Sequence, residues 1–239
     1  MINFLKSFVN AFSAHSFIPL PYYEDEGDKY KAAFVPLIGV IIYHLLYWWS
    51  MLSWYRFYND VVEALGMILI VIIVTGGRQA LGFISYVDSI PTYKYRFRSW
   101  SESRDRGVLR FLLVIIVWTI AMANTYDYIF PLVWFGFIAS RITVGLLSSI
   151  FNENSNQSKV TIGILVVEFI YLVYYVCDEY ETLAICPIIA TVILFLLFMN
   201  NFRRSTAENL DLLEDDYVVS FETAWIMSVA IISLIRSIG

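Results

Sequence analysis

Charge is scarce in this chain. Lys, Arg, Asp and Glu make up only 15% of its 239 residues, while 59% are hydrophobic and 18% aromatic, and the mean hydropathy is +0.66. That balance excludes a soluble domain, whose surface must be wetted. Histidine is scarcer still. His15 and His44 are the only two, and neither neighbours a plausible nucleophile, which leaves nucleophilic catalysis with little support. Cysteine is equally rare: Cys177 and Cys186 sit near the outer ends of adjacent predicted spans, at a spacing that fits no metal motif. Small packing residues are the first reading of the pair and a disulfide the second. A nucleotide-binding P-loop and a dinucleotide fingerprint are absent, and so is any nucleic-acid recognition module. No internal repeat, low-complexity tract or composition break divides the chain, so residues 1–239 read as one domain. The N-terminus lacks a cleavable signal pattern, because Met1 to Phe12 has only a short apolar stretch and no small-residue cleavage site before Pro19 and Pro21.

Long apolar runs are what the chain has in abundance. They cover Ala32 to Trp54, Val61 to Val74, Val108 to Ala123, Ile129 to Ile150, Val160 to Val176, Leu183 to Met199 and Tyr217 to Ile235. Crossing the hydrocarbon as a helix takes roughly 17–25 residues. The runs therefore predict an all-α, polytopic integral membrane helix bundle of about seven transmembrane helices. The range is six to eight, because the second and third runs are short enough to be tilted or re-entrant. Ahead of them, Phe4, Phe8, Val9 and Phe12 recur at helical spacing and predict an amphipathic helix lying in the membrane interface, ended by Pro19 and Pro21. Trp48, Trp49, Trp54 and Tyr55 read as headgroup-level anchors. The segment Glu24, Asp25, Glu26 and Asp28 reads first as a solvated loop and second as part of a divalent-cation site, and Asn152 to Lys159 as a plain turn.

Seven alternating crossings would leave thirteen of the sixteen Lys and Arg residues on one side, only Arg56 and Arg236 on the other, and Arg141 inside a span. The positive-inside rule then predicts a multi-pass cell-membrane protein with its N-terminus and basic loops in the cytoplasm. Within the spans, polar residues are few and so informative. Arg141 follows Ser140 in the middle of the fourth, Glu168 lies in the fifth, and Glu222 lies near the start of the seventh. An interhelical pair of Arg141 with Glu168 is the structural reading, and a wet functional cavity is the other. Three such residues are too few to favour a transport path.

The polar segment Thr75 to Gly107 carries six of the sixteen basic residues. Thr75-Gly76-Gly77 would let backbone amides approach an anion. Downstream, Lys94, Arg96, Arg98, Arg104, Arg106 and Arg110 surround Asp88 and Asp105, so carboxylates suited to Mg²⁺ lie among cations suited to phosphate. A basic loop that only sets topology against anionic lipid is the plainer alternative.

Taken with their spacing, these residues resemble the cobalamin synthase family, also called adenosylcobinamide-GDP ribazoletransferase, and the similarity runs nearly end to end. Ala11-Phe12-Ser13 with Ile18-Pro19-Leu20-Pro21 looks like the family's "AFS…IPxP" signature, and Phe34-Val35-Pro36-Leu37-Ile38-Gly39 like its "FPLIG" start of the first span. The central motif, Gly-Gly-x-His-Leu-Asp-Gly-x-x-Asp-x-x-Asp, laid from Gly76 to Asp88, matches at Gly76, Gly77, Gly82 and Asp88. The same register puts Arg104-Asp105 on the family's later basic-acidic pair, and Ser140-Arg141 matches a Ser-Arg in the fourth span. Arg203 and Asp211 fall on the family's Arg…Gly-Gly-x-Thr-Gly-Asp segment, and Glu222 on a following glutamate with a one-residue shift. The chain departs at Gln79 for His, at Leu81 and Ser85 for Asp, and at Thr206, Ala207 and Leu210 for the C-terminal glycines.

The resemblance implies transfer of the adenosylcobinamide phosphate of adenosylcobinamide-GDP to α-ribazole or its 5′-phosphate, with release of GMP and dependence on Mg²⁺. It assigns Asp88, Asp105 and Asp211 to the metal, Arg104, Asp105, Arg141 and Glu222 to catalysis, and Gly76, Gly77, Arg96, Arg98 and Arg203 to substrate. Asp88, Arg104, Asp105, Arg141 and Asp211 are then expected to converge on one cytoplasmic cavity. A catalytically inactive paralogue that binds a corrinoid or a membrane partner is the alternative. A second copy of the chain and other corrinoid-pathway membrane proteins are the partners left open.

Overall fold

Apolar sequence in lipid has one economical solution, the helix, which satisfies every backbone N–H and C=O within its own segment. The computed structural model describes residues 2–23, 30–56, 59–89, 106–125, 129–151, 159–204 and 207–238, and among them there is no strand. The helices are α1 (Ile2–His15), α2 (Lys31–Arg56), α3 (Asp60–Val74), α4 (Arg78–Ser89), α5 (Arg106–Ala123), α6 (Pro131–Phe151), α7 (Lys159–Tyr180), α8 (Ile185–Arg204) and α9 (Ala207–Ile238). Many large apolar side chains point outward, among them Leu69, Leu112, Ile170, Leu197 and Leu234. A lipid-facing surface accepts such exposure where water would not.

Five helical stretches are long and apolar enough to cross a membrane, and six if the bent pair α3–α4 counts as one. Helix α3, at fifteen residues, is too short to count alone, and the runs expected as the fifth and sixth spans follow one another in one 46-residue helical stretch, Lys159–Arg204. That stretch doubles back at the 3₁₀ turn Glu181–Ala184, since Phe169 and Leu172 of α7 line the same small cavity as Ile188 and Thr191 of α8. Cys177 and Cys186, one on each side of this turn, are free thiols and exposed, so neither the packing reading nor a disulfide describes them.

Helix α6 is the axis of the bundle, with residues from Leu132 to Ser148 buried almost without interruption. It packs on α2, α7 and α9. Small residues make close approach possible: a Cβ on Gly39 of α2 would fall 2.5 Å from Phe137 O and 2.8 Å from Ile138 Cα of α6. Across the other face, the Trp225 indole of α9 donates to Leu132 O at 2.9 Å.

Helix α1 forms as expected, and Phe4 and Leu5 are more than half exposed. Its polar residues turn inward, however. Asn10 Nδ2 donates to Tyr23 O and its Oδ1 accepts from Tyr23 N, both at 2.8 Å. Ser7 Oγ accepts from Tyr30 N at 3.3 Å. The polar face of α1 thus holds the chain that follows it, while the outward rings remain for the membrane interface.

The largest departure from the sequence expectation lies in the segment read as a loop. Helix α3, opened by an Asn59 cap whose Oδ1 accepts from Val62 N, closes where Gly76 and Gly77 take φ of 61° and 70°. Only glycine adopts that region without penalty. The Gly77 N–H reaches Ile72 O at 2.8 Å and the Gly76 N–H reaches Ile73 O at 3.0 Å, closing the helix end. The chain then bends by 86° into α4, which lies against α9 and α5.

Candidate functional site

Helix α4 buries Gln79, Gly82, Phe83 and Val87, a stripe at helical spacing. Phe83 and Val87 pack on Val219 of α9, and Gly82 leaves no room for a Cβ because the Asp215 carboxylate fills that space. This packing sets Gln79 beside the most buried charges in the molecule. Arg141 and Glu222 are each 1% exposed and pair through Arg141 Nη1 and Glu222 Oε1 at 2.6 Å. Arg141 Nη1 also donates to Phe137 O at 2.6 Å and to Ser140 Oγ at 3.1 Å, while Nη2 donates to Gln79 Oε1 at 3.2 Å. Ser140 Oγ donates to Glu222 Oε1 at 3.0 Å. The partner of Arg141 is therefore Glu222, not Glu168. Glu168 is partly exposed and belongs to a separate groove with His44.

The cluster links α4, α6 and α9 through charge-assisted hydrogen bonds at a depth where water is excluded. A cavity of about 20 Å³, lined by Thr75, Gln79, Ala80 and Glu222 among others, adjoins it. Glu222 Oε2 has no partner among the described residues.

Above the cluster, the end of α1 covers the glycine turn. Phe17 N donates to Val74 O at 2.9 Å, Arg78 Nη1 donates to Ser13 O at 3.2 Å, and Phe17 Cα lies 3.2 Å from where a Gly76 Cβ would be. The amides of Gly76 and Gly77 are spent on α3, and Arg78 N bonds Thr75 O at 3.2 Å. These amides do not point at an anion, so the glycines shape the turn. Gly77 nevertheless borders open space, with nothing within 4 Å of a Cβ position, and the Arg78 side chain is exposed beside it.

His15, at the last position of α1, is largely enclosed here. Burial, with the positive charges of Lys31, Arg78 and Arg141, pushes its imidazole down to about 3. An unfolded histidine titrates near 6.5, so between about 3 and 6.5 the unfolded chain binds the extra proton and stability falls as pH falls. Above 6.5 the contribution is complete. Unfolding temperatures measured from pH 7 to 4 should drop more steeply for the native chain than for His15→Gln. Parallel curves would show that His15 is not held neutral.

The remaining predicted site residues separate from this cluster. Asp88 lies nine residues beyond Gln79 on α4, a rise of about 13 Å. Its Oδ1 accepts from Gly107 N at 2.8 Å, and its carbonyl accepts from Arg106 Nη2 at 3.4 Å. Asp88 is thus tied to the start of α5, toward the other end of α4 from Gln79. Arg96, Arg98, Arg104 and Asp105 lie outside the described residues, as does the side chain of Asp211. Arg203 is exposed in the last turn of α8.

Among the described residues no group of three or more His, Cys, Asp and Glu side chains is placed to hold a metal. Of the three carboxylates that the resemblance assigns to Mg²⁺, Asp88 is the one whose side chain is described, and its Oδ1 is engaged by Gly107 N. Asp88→Asn keeps the capping oxygen and should change stability by less than Asp88→Ala, which should cost about 0.5–2 kcal/mol. Thermal unfolding of the two variants side by side checks this, and equal losses would mean that the charge and not the cap is what matters.

Sequence reasoning missed Gln79 as a contact of Arg141, and the enclosure of His15 near the cations Lys31, Arg78 and Arg141. The first was signalled by the stripe Gln79, Gly82, Phe83 and Val87. The second had no local signal, because it depends on α1 folding back over the glycine turn. No curated protein and no solved structure matches the chain. The family model for cobalamin-5-phosphate synthase matches residues 7–209, which takes in α1 from Ser7 onward, the glycine turn, α4 and the Ser140-Arg141 step, and the chain belongs to that family.

Proposed function

We propose that this protein is a phosphotransferase of cobalamin biosynthesis that joins adenosylcobinamide-GDP to α-ribazole or its 5′-phosphate and releases GMP. The observation that carries the reading is the glycine turn of α3–α4, open on the Gly77 side and flanked by exposed Arg78, with Lys31 and neutral His15 close by. The attacking oxygen of the ribazole forms the new bond to the cobinamide phosphorus as the bond to the GMP oxygen breaks. The protein's part is positioning and neutralisation of charge. Arg78 supplies charge at the turn. Arg141, fully buried, acts as a positioning residue that fixes Gln79 and hence the start of α4. Mg²⁺ enters the proposal as the counter-ion carried on the substrate's diphosphate, and the turn would face the cytoplasm.

The test is GMP release by the purified full chain from adenosylcobinamide-GDP and α-ribazole, assayed with Mg²⁺ and with a chelator. Arg78→Ala should lower kcat/KM by about a hundredfold. A second reading, a corrinoid-binding paralogue without turnover, is favoured by one observation: Leu81, which stands at a motif carboxylate, is 63% exposed on α4. Corrinoid binding with no GMP released under any condition would decide for it.

A further inference from the structure

A cavity lies at the opposite end of the bundle from the glycine turn. It has a volume of about 710 Å³ and is walled by the ends of α2, α5, α7 and α9 and the beginnings of α3 and α6. Three carboxylates line it, those of Asp60, Glu63 and Glu179, and among its described lining residues there is no Lys or Arg. Arg236 precedes the lining residue Ser237 without lining the cavity itself.

Between the carboxylates stand aromatic faces. Trp134 meets Tyr43, Tyr47 and Phe130 edge-on at centroid distances of 5.6, 5.9 and 6.0 Å, and Tyr175 packs on Phe135 at 5.6 Å. Rings and carboxylates without a competing cation attract an ammonium group. Trp134 is 3% exposed, lines this cavity, and has an indole N–H with no acceptor among the described residues, an uncommon state for a buried donor, so the cavity also has a place for an acceptor atom.

A further groove of about 340 Å³, mostly apolar but lined also by Glu168 and His44, adjoins this cavity and shares Tyr43, Phe135 and Tyr175 with it. It runs between α2, α6 and α7 past Leu37, Val40, Ile138 and Ile142. The wall common to both spaces joins a polar, anionic chamber to a lipid-facing channel. We propose that the two form one site for an amphiphile with an ammonium head, the head held by Glu179, Asp60 and the aromatic faces, and the chain laid in the groove.

The probe is dodecyltrimethylammonium below its micelle concentration, added to the full chain in an uncharged detergent and followed by tryptophan fluorescence. Tetramethylammonium supplies the head alone and dodecyl sulfate the chain with the wrong charge. The expected result is saturable binding of dodecyltrimethylammonium at least tenfold tighter than tetramethylammonium, with competition between the two and none from dodecyl sulfate. Asp60→Asn with Glu179→Gln, both at exposed positions, should weaken both cations about tenfold. Leu37→Trp, which fills the groove from an exposed position, should weaken only the long-chain probe. Unfolding temperatures of the variants verify that they are folded. Unchanged affinity in the double carboxylate variant, or dodecyl sulfate binding as well as the cation, overturns the site. Equal affinity for the two ammonium probes overturns the role of the groove.

Discussion

Arg141→Met should lose about 3–5 kcal/mol of stability, because it leaves Glu222 buried without its charge partner. The geometry makes the loss large. Glu222 Oε1 accepts from Arg141 and from Ser140, whereas Oε2 already lacks a partner among the described residues. Taking away the guanidinium leaves one hydroxyl to solvate a carboxylate at the centre of the bundle. Glu222→Met should be comparably harmful for the converse reason, since the guanidinium would keep only Phe137 O, Ser140 and Gln79. The double variant Arg141→Met with Glu222→Met should recover most of the loss, because two apolar side chains of similar length cost little where a matched pair stood. Denaturation of the four proteins in detergent completes the cycle. A double variant that loses the sum of the two single losses would mean that the residues do not act as a pair. Function has a separate readout: Arg141→Met frees Gln79, so corrinoid-substrate affinity should fall even under conditions where that variant stays folded.

The membrane fold was legible in the sequence because lipid imposes a simple demand. A helix must be apolar along its length to cross, and α2, α6 and α9 announce themselves by composition. What composition does not state is which way each helix is rotated. The sequence suggested Glu168 as the partner of Arg141, although Glu168 and Glu222 are both single carboxylates in apolar runs. The choice rests on packing, which turns Arg141 toward α9 and leaves Glu168 on the α7 face with His44. Helix α4 was hidden for a related reason. Its buried stripe contains Gln79 and Gly82, so its periodicity reads as polar and loop-like until the apolar partner face on α9 is seen. The turn that creates it was legible as glycines but misread as an anion cradle, because the fate of their amide protons depends on where α3 ends. Residues 76–88 carried the family signature in sequence, and in structure they carry the link from the Arg141 cluster to the base of α5.

Gly39→Ala should destabilise the protein by about 1–3 kcal/mol, a large effect for one added methyl group. Carbon atoms in contact sit roughly 3.5–4.0 Å apart, and the new Cβ would stand 2.5 Å from Phe137 O and 2.8 Å from Ile138 Cα. Both obstacles are backbone, so no rotamer change relieves them and α2 must move away from α6. Phe137 O is also an acceptor for Arg141, and the strain should therefore reach the charge cluster and lower substrate affinity along with stability. Gly163→Ala is the matching control. It lies within α7 with nothing within 4 Å of its Cβ position, so it should gain about 0.5–1 kcal/mol from helix propensity alone. Unfolding midpoints of the two variants are expected to move in opposite directions. If Gly39→Ala instead behaves like Gly163→Ala, α2 and α6 do not meet backbone to backbone, and the axis of the bundle, with Arg141 upon it, is held by something other than that contact.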